Sequence, residues 1–145
     1  ISGSGKGVTH GGTYTANMIA LSAAKATLTI LNETDAYKSI NKAGADIQQV
    51  LSRVFTKQGI EHRFAGPNSM CGIHFGALVP TNYRDWKQTD SELYTEFAMN
   101  LIKYGVMLEP DSREPWFICE AHKNVDLVWL EKIADRAMAE ATAAK

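Results

Sequence analysis

The chain has 145 residues, 45% hydrophobic and 21% charged, with a formal net charge of -1. That length can bury a core without disulfides or a structural metal, and the balanced charge argues against broad attraction to nucleic acid or an anionic membrane. No unbroken apolar run of about eighteen residues is present to span a bilayer. Cys71 and Cys119 lie far apart without a CxxC spacing, so they read as reduced, intracellular thiols rather than as a disulfide framework or a zinc ribbon. Five of the eleven glycines fall within the first twelve residues, and Ile1 opens directly into Ser2-Gly3-Ser4-Gly5-Lys6-Gly7, an abrupt beginning.

Residues 1–14 are expected to form a loop, because closely spaced glycines relax the backbone and raise the entropy lost on ordering. From about Ala16 to Asn32, Met18, Leu21, Ala24, Leu28 and Leu31 recur at helical spacing in an alanine-rich run. A second helix is predicted from about Asp35 to Gln58, with Tyr37, Ile40, Gly44, Ile47, Leu51 and Val54 on one stripe and Gly59 as terminator. The period then changes to two. Ile60, His62 and Phe64 alternate before the turn Gly66-Pro67-Asn68, and Cys71, Ile73, Phe75 and Ala77 alternate after it, which predicts two strands.

Residues 78–89 read as irregular, until Thr89-Asp90-Ser91-Glu92 offers a capping-box spacing for a helix running to Lys103 or Tyr104 and ending at Gly105. Val106–Glu109 and Trp116–Cys119 are predicted short strands. Asn124 or Asp126 caps a last helix with Leu127, Leu130, Ala134 and Ala137 inward. From residue 35 onward this order makes an α+β domain, a small and mainly antiparallel sheet covered by helices. Residues 1–34 fall outside that pattern.

The glycine cluster invites a phosphate-binding reading, because small residues let backbone N–H groups approach an anion at a helix N-terminus. The nucleotide motifs fail: Gly7 follows Lys6 where a Walker loop needs Ser or Thr, and no G-x-G-x-x-G is completed. What survives is His10-Gly11-Gly12-Thr13-Tyr14-Thr15-Ala16-Asn17, in which two glycines bring two threonine hydroxyls to a helix start. Spacing alone favours a helix cap by Thr13 or Thr15 over an anion site. No histidine pairs with another ligand type at a usual metal spacing, so no metal site is indicated. His62 and His74 read as structural. Cys71 and Cys119 lie in strand-like runs, which favours buried, inert thiols over a Cys–His nucleophile pair. Arg113-Glu114-Pro115-Trp116 is the other polar cluster, and lining a pocket or forming a surface ion pair beside a packed tryptophan remain equal readings of it.

The segment His10–Asn17, running into the alanine-rich helix, resembles the H-G-x-T-[YF]-[ST]-[GA]-N stretch of class III pyridoxal-phosphate aminotransferases, a group that includes glutamate-1-semialdehyde aminomutases. The similarity continues through Ser69–Phe75, Tyr83-Arg84-Asp85, the Leu93–Gly105 helix with Val106-Met107-Leu108 behind it, and Glu114–Phe117 followed by Ala121-His122. This resemblance implies a type I fold, with residues 1–34 ending a large cofactor domain and residues 35–145 forming the C-terminal domain. It implies that Thr13, with Gly12 and Tyr14 beside it, binds the phosphate of pyridoxal phosphate in the partner subunit's active site of a homodimer. Glu114 matches a position near the substrate in the aminomutases, and Arg113 beside it is the alternative substrate contact. The lysine that forms the Schiff base lies upstream of the H-G-x-T stretch in that family. Lys6, Lys25 and the later lysines do not match it, so the resemblance covers about the last third of such an enzyme.

The activity so implied is transfer of an amino group between an amino acid or amine and an oxo acid or aldehyde, by a cytoplasmic enzyme of which this segment alone is inactive. It needs the N-terminal part of the same enzyme, and its other partners are a small amino donor and acceptor. His10 points towards a transaminase. An aminomutase is the alternative, and a non-catalytic anion-binding or interaction module is the reading from a different class.

Overall fold

The computed structural model describes residues 11–144. The chain divides into two compact units, Ile1–Ala36 and Tyr37–Lys145. In the first, α1 spans Met18–Glu33 and begins at Asn17, whose side chain accepts the Ala20 N–H at 3.0 Å. None of the residues of α1 is buried, and Met18, Ile19, Leu21, Leu28 and Ile30 are exposed.

The second unit is α+β. Helix α2 (Ala36–Lys57) precedes strands β1 (His62–Ala65) and β2 (Met70–Phe75), followed by α3 (Tyr83–Trp86), α4 (Ser91–Lys103), β3 (Trp116–Phe117), a 3-10 helix at Glu120–Asn124 and α5 (Leu127–Ala143). The sheet order is β1-β2-β3, both pairs antiparallel, with Phe64 opposite Ile73 and Cys71 opposite Trp116. Ile73 and Phe75 share one face of β2 by the period of two. They join the core that α2, α4 and α5 supply, built around Leu51, Phe55, Phe97, Leu101, Leu130 and Met138. Phe55 stands edge-on to Phe75 at 5.0 Å and to Phe97 at 5.3 Å, the arrangement that ring quadrupoles favour. Asn100 on α4 donates to the Ala137 carbonyl of α5 at 3.2 Å, which gives one buried polar side chain a partner.

Several details depart from the periodicity. Val106–Glu109 is not a strand: Val106 and Leu108 are half-buried and Met107 and Glu109 exposed, so the alternation is real, but the segment has no ladder partner and its Val106 N–H bonds back to the Leu101 carbonyl at 3.1 Å. The predicted strand Trp116–Cys119 keeps only Trp116 and Phe117, since Cys119 is the N-cap of the 3-10 helix that follows. The cap of α4 is Asp90, which accepts the Leu93 N–H at 3.0 Å, while the Thr89 hydroxyl donates backwards to the Trp86 carbonyl. Within the stretch read as irregular, Asn82 accepts from Arg84 and Asp85 and opens the single turn of α3. Asp126, rather than Asn124, caps α5. Among the described residues, no helix is long and apolar enough to cross a membrane.

His74 is buried and its Nδ1 has no hydrogen-bond partner. Burial disfavours the imidazolium and holds its pKa below the ordinary histidine value. The unfolded chain therefore takes up this proton first as pH falls. Stability is intact above about pH 6.5 and declines as pH drops through that value toward the lower folded pKa. Denaturant titrations at pH 7.5 and 5.5 should show this decline in the native chain and a smaller one in His74→Gln; an equal decline in both would remove His74 as its source.

Candidate functional site

Two places carry the polar chemistry, one in each unit. In the first, residues 13–16 form a turn ahead of α1, in which Thr15 N–H donates to the Gly12 carbonyl at 3.0 Å and Asn17 N–H to the Tyr14 carbonyl at 3.1 Å. Ala16 takes a positive φ of 63°, which brings Asn17 round to serve as cap. The helix therefore does not draw on either threonine, and the capping expected of Thr13 or Thr15 is performed by Asn17. Gly12, Thr13 and Tyr14 are exposed, and a Cβ at Gly12 would meet the Thr15 hydroxyl at 3.2 Å. His10 lies outside the described residues.

In the second unit, the loop after α4 and the start of α5 enclose a cavity of about 490 Å³ lined by Leu108, Glu109, Asp111, Glu114, Trp116, Phe117, His122 and Trp129, among others. Its volume and mostly apolar wall are those of a small-molecule site. The loop is fastened from below. The Tyr94 hydroxyl on α4 donates to the Glu109 carbonyl at 3.3 Å and accepts the Trp116 indole N–H at 3.0 Å, so one buried group holds both ends of the segment 109–116. The Thr95 hydroxyl donates to the Pro110 carbonyl at 3.1 Å, and the Trp86 indole to the Ser112 hydroxyl at 2.8 Å.

Neighbouring residues in the loop have different tasks. Arg113 donates from Nε to both oxygens of Asp111 at 3.0 Å, and its guanidinium lies 5.1 Å from the Trp86 ring centroid. The guanidinium holds the Asp111 carboxyl below its ordinary pKa, and the carboxylate raises that of Arg113. Arg113 is thus spent on fixing the loop and is absent from the cavity wall, whereas Glu114 lines it.

The histidines and cysteines separate in the same way. His62 shares a hydrogen bond with the Ser52 hydroxyl at 2.9 Å, and its Nδ1 faces the Ile60 carbonyl at 2.9 Å. Cys71 is buried in β2, where desolvation pushes its thiol up to about 11. Cys119 differs from the buried, inert thiol expected of it: it is exposed, and its Sγ lies 3.2 Å from His122 Nδ1. The Cys119 N–H also donates to that nitrogen at 2.9 Å, which makes the pair a reciprocal cap for the 3-10 helix. The i, i+3 spacing of Cys119 and His122 was the sequence signal for this pairing. Among the described residues no three His, Cys, Asp or Glu side chains gather as metal ligands.

Residues 2–122 match the family model described as aminotransferase class-III. The chain belongs to the class III aminotransferase family. A glutamate-1-semialdehyde 2,1-aminomutase of Thermus thermophilus is 31% identical over 83% of this chain and 28% of its own length. That of Bacillus subtilis is 30% identical over 89% of this chain and 30% of its length, and that of Aquifex aeolicus 26% identical over 90% and 29%. The chain thus spans less than a third of the length of these relatives. The FumI protein of Sphingopyxis sp. MTA144, solved in its PLP internal aldimine form, superposes with a TM-score of 0.73 at 23% identity, over 91% of this chain and 29% of that one. The class III segment accordingly has the α+β fold expected for the C-terminal domain of a type I pyridoxal-phosphate enzyme.

Proposed function

We propose that this chain is the C-terminal part of a homodimeric, pyridoxal-phosphate-dependent aminotransferase that moves an amino group between an amino acid or amine and an oxo acid or aldehyde. The carrying observation is that Asn17 caps α1 and leaves the exposed Thr13 hydroxyl with no intrachain partner among the described residues. A hydroxyl and neighbouring backbone N–H groups at a glycine-bearing turn are the donors a phosphate oxygen accepts from without a lysine. Thr13 would hold the cofactor phosphate, with Gly12 and Tyr14 shaping the turn, in the partner subunit's active site. The bound cofactor supplies the electron sink for amino-group exchange. In the second unit Glu114 faces the substrate and Arg113 keeps it there by bracing the loop against Asp111 and Trp86. The lysine that binds the cofactor covalently lies outside this chain, so the segment alone is inactive, and the assembled enzyme is cytoplasmic.

Migration of the amino group within one molecule, as in an aminomutase, is the second reading, supported by the names of the curated relatives.

Thr13→Ala in the whole protein should weaken pyridoxal phosphate binding by about 1–3 kcal/mol, the value of a hydrogen bond to a charged group, and leave binding of pyridoxal, which lacks the phosphate, unchanged. Calorimetric titration with both compounds measures the difference. An unaltered preference for the phosphorylated form would take Thr13 out of the site.

A further inference from the structure

Tyr94 stands at the junction between the core and the loop that carries the cavity wall. Its ring is 1% exposed and lies 6.2 Å from that of Phe75, centroid to centroid. A phenylalanine would fill that apolar site with nearly the same volume. What the tyrosine adds is one hydroxyl, and both of its hydrogen bonds go to the loop rather than to the core: it donates to the Glu109 carbonyl and accepts the Trp116 indole N–H. Using both capacities at once requires the neutral phenol. Burial, helped by the Asp111 and Glu109 carboxylates and opposed by the Trp116 N–H, holds its pKa above the ordinary tyrosine value.

The two ends joined by this hydroxyl are fixed unequally. Trp116 pairs with Cys71 of β2, and the Ile118 N–H donates to the Ser69 carbonyl at 3.0 Å, so that end belongs to the sheet. Residues 106–111 lie outside the sheet, and their Glu109 and Pro110 carbonyls are tied to α4 by Tyr94 and Thr95. Tyr94 thus links the end without a ladder to the end that has one. Glu109 and Trp116 both line the cavity and Glu114 is carried between them, whereas Tyr94 itself is absent from the wall. We propose that Tyr94 is a positioning residue of the substrate site: through Glu109 and Trp116, its hydroxyl holds the loop 109–116 in the shape that presents Glu114 and Trp116 to the substrate. The inference rests on the proposed function for there being an amino donor to turn over; the hold on the loop does not depend on it. Wall contacts of this kind are made before and during the transition state alike, so loosening them weakens donor binding and leaves the chemical step nearly unchanged. A wall that must be ordered on binding also costs affinity.

Tyr94→Phe in the whole protein removes the hydroxyl and keeps the ring. Amino-group transfer to bound pyridoxal phosphate, followed by absorbance, is measured against the concentration of four donors: L-alanine, L-glutamate, benzylamine and putrescine. For the donor that the native protein uses best, the half-saturating concentration should rise about tenfold in the variant, with the maximal rate per bound cofactor within about threefold. Half-saturation does not depend on the fraction of protein folded, so a general loss of stability would not mimic this result. In the cofactor-free protein, amide hydrogen exchange over residues 109–116 should be about fivefold faster or more, with α2 unchanged, and Trp116→Phe, which removes the indole bond from the loop side, should speed the same segment. An unchanged half-saturating concentration, a fall confined to the maximal rate, or unaltered exchange over 109–116 would each overturn this inference and leave the proposed function standing. A native protein that takes an amino group from none of the four donors would defeat the proposed function, and this inference with it.

Discussion

Phe97→Ala should destabilise the Tyr37–Lys145 unit by about 3–5 kcal/mol, the cost of emptying an aromatic site in a close-packed core. Phe97 is 0% exposed, lies on α4 between the helix layer and β2, and meets Phe55 at 5.3 Å and Phe75 at 6.0 Å, both edge to face. Its removal takes away apolar burial and two ring contacts at once, and neighbours on two separate elements, α2 and β2, cannot both move into one void. A domain of this size has only about 5–15 kcal/mol of net stability, so the loss should be visible as a large fall in the urea midpoint with little change in slope. Phe97→Leu, which keeps most of the volume, should cost much less. A loss under about 1 kcal/mol for the alanine variant would mean that the site collapses freely and that Phe97 is not the centre of this core.

Gly44→Ala tests a different kind of packing. In the middle of an unconstrained helix this change stabilises by about 1 kcal/mol, because glycine loses more backbone entropy on folding. At Gly44 the added Cβ would stand 2.0 Å from the carbonyl oxygen and 2.6 Å from the carbonyl carbon of Asn68, in the turn between β1 and β2. Those are backbone atoms, so relief requires moving the hairpin away from α2 rather than turning a side chain. Overpacking of this kind costs about 1–3 kcal/mol and should outweigh the helical gain. Denaturation of the Gly44→Ala protein should therefore show a net loss. A net gain would mean that α2 and the hairpin do not approach as closely as described.

Gly44 also marks where sequence reasoning stopped. Its place on the inward stripe of a helix was readable, but the reason glycine stands there belongs to a turn 24 residues later in the chain, which no local pattern reports. The long helices, the hairpin and the α+β order were legible because burial on one face imposes a period on each element. Val106–Glu109 shows the limit of the same signal: its side chains alternate as in a strand, yet a strand also needs a ladder partner, and the Val106 N–H instead bonds back to the Leu101 carbonyl at the end of α4. Caps were legible in kind, in place for Asp126 and off in place elsewhere. Thr89 gave way to Asp90, and Thr13 and Thr15 to Asn17, because several short polar residues stood within reach and backbone dihedrals chose among them. At the candidate site, the pairing of Arg113 with Asp111 needed the turn of the loop to become visible, as did the difference between the buried Cys71 and the exposed Cys119. The motif around Thr13 was legible for a separate reason: the family likeness there is written in residue identity rather than in periodicity.

The central claim is that this chain serves a pyridoxal-phosphate enzyme whose covalent lysine lies elsewhere in the protein. Borohydride reduction of the whole protein after incubation with pyridoxal phosphate, followed by peptide mapping, tests it most directly. The account predicts one stoichiometric pyridoxyl-lysine outside residues 1–145. No stoichiometric pyridoxyl-lysine, or one on Lys6, Lys25 or another lysine of this chain, would contradict it.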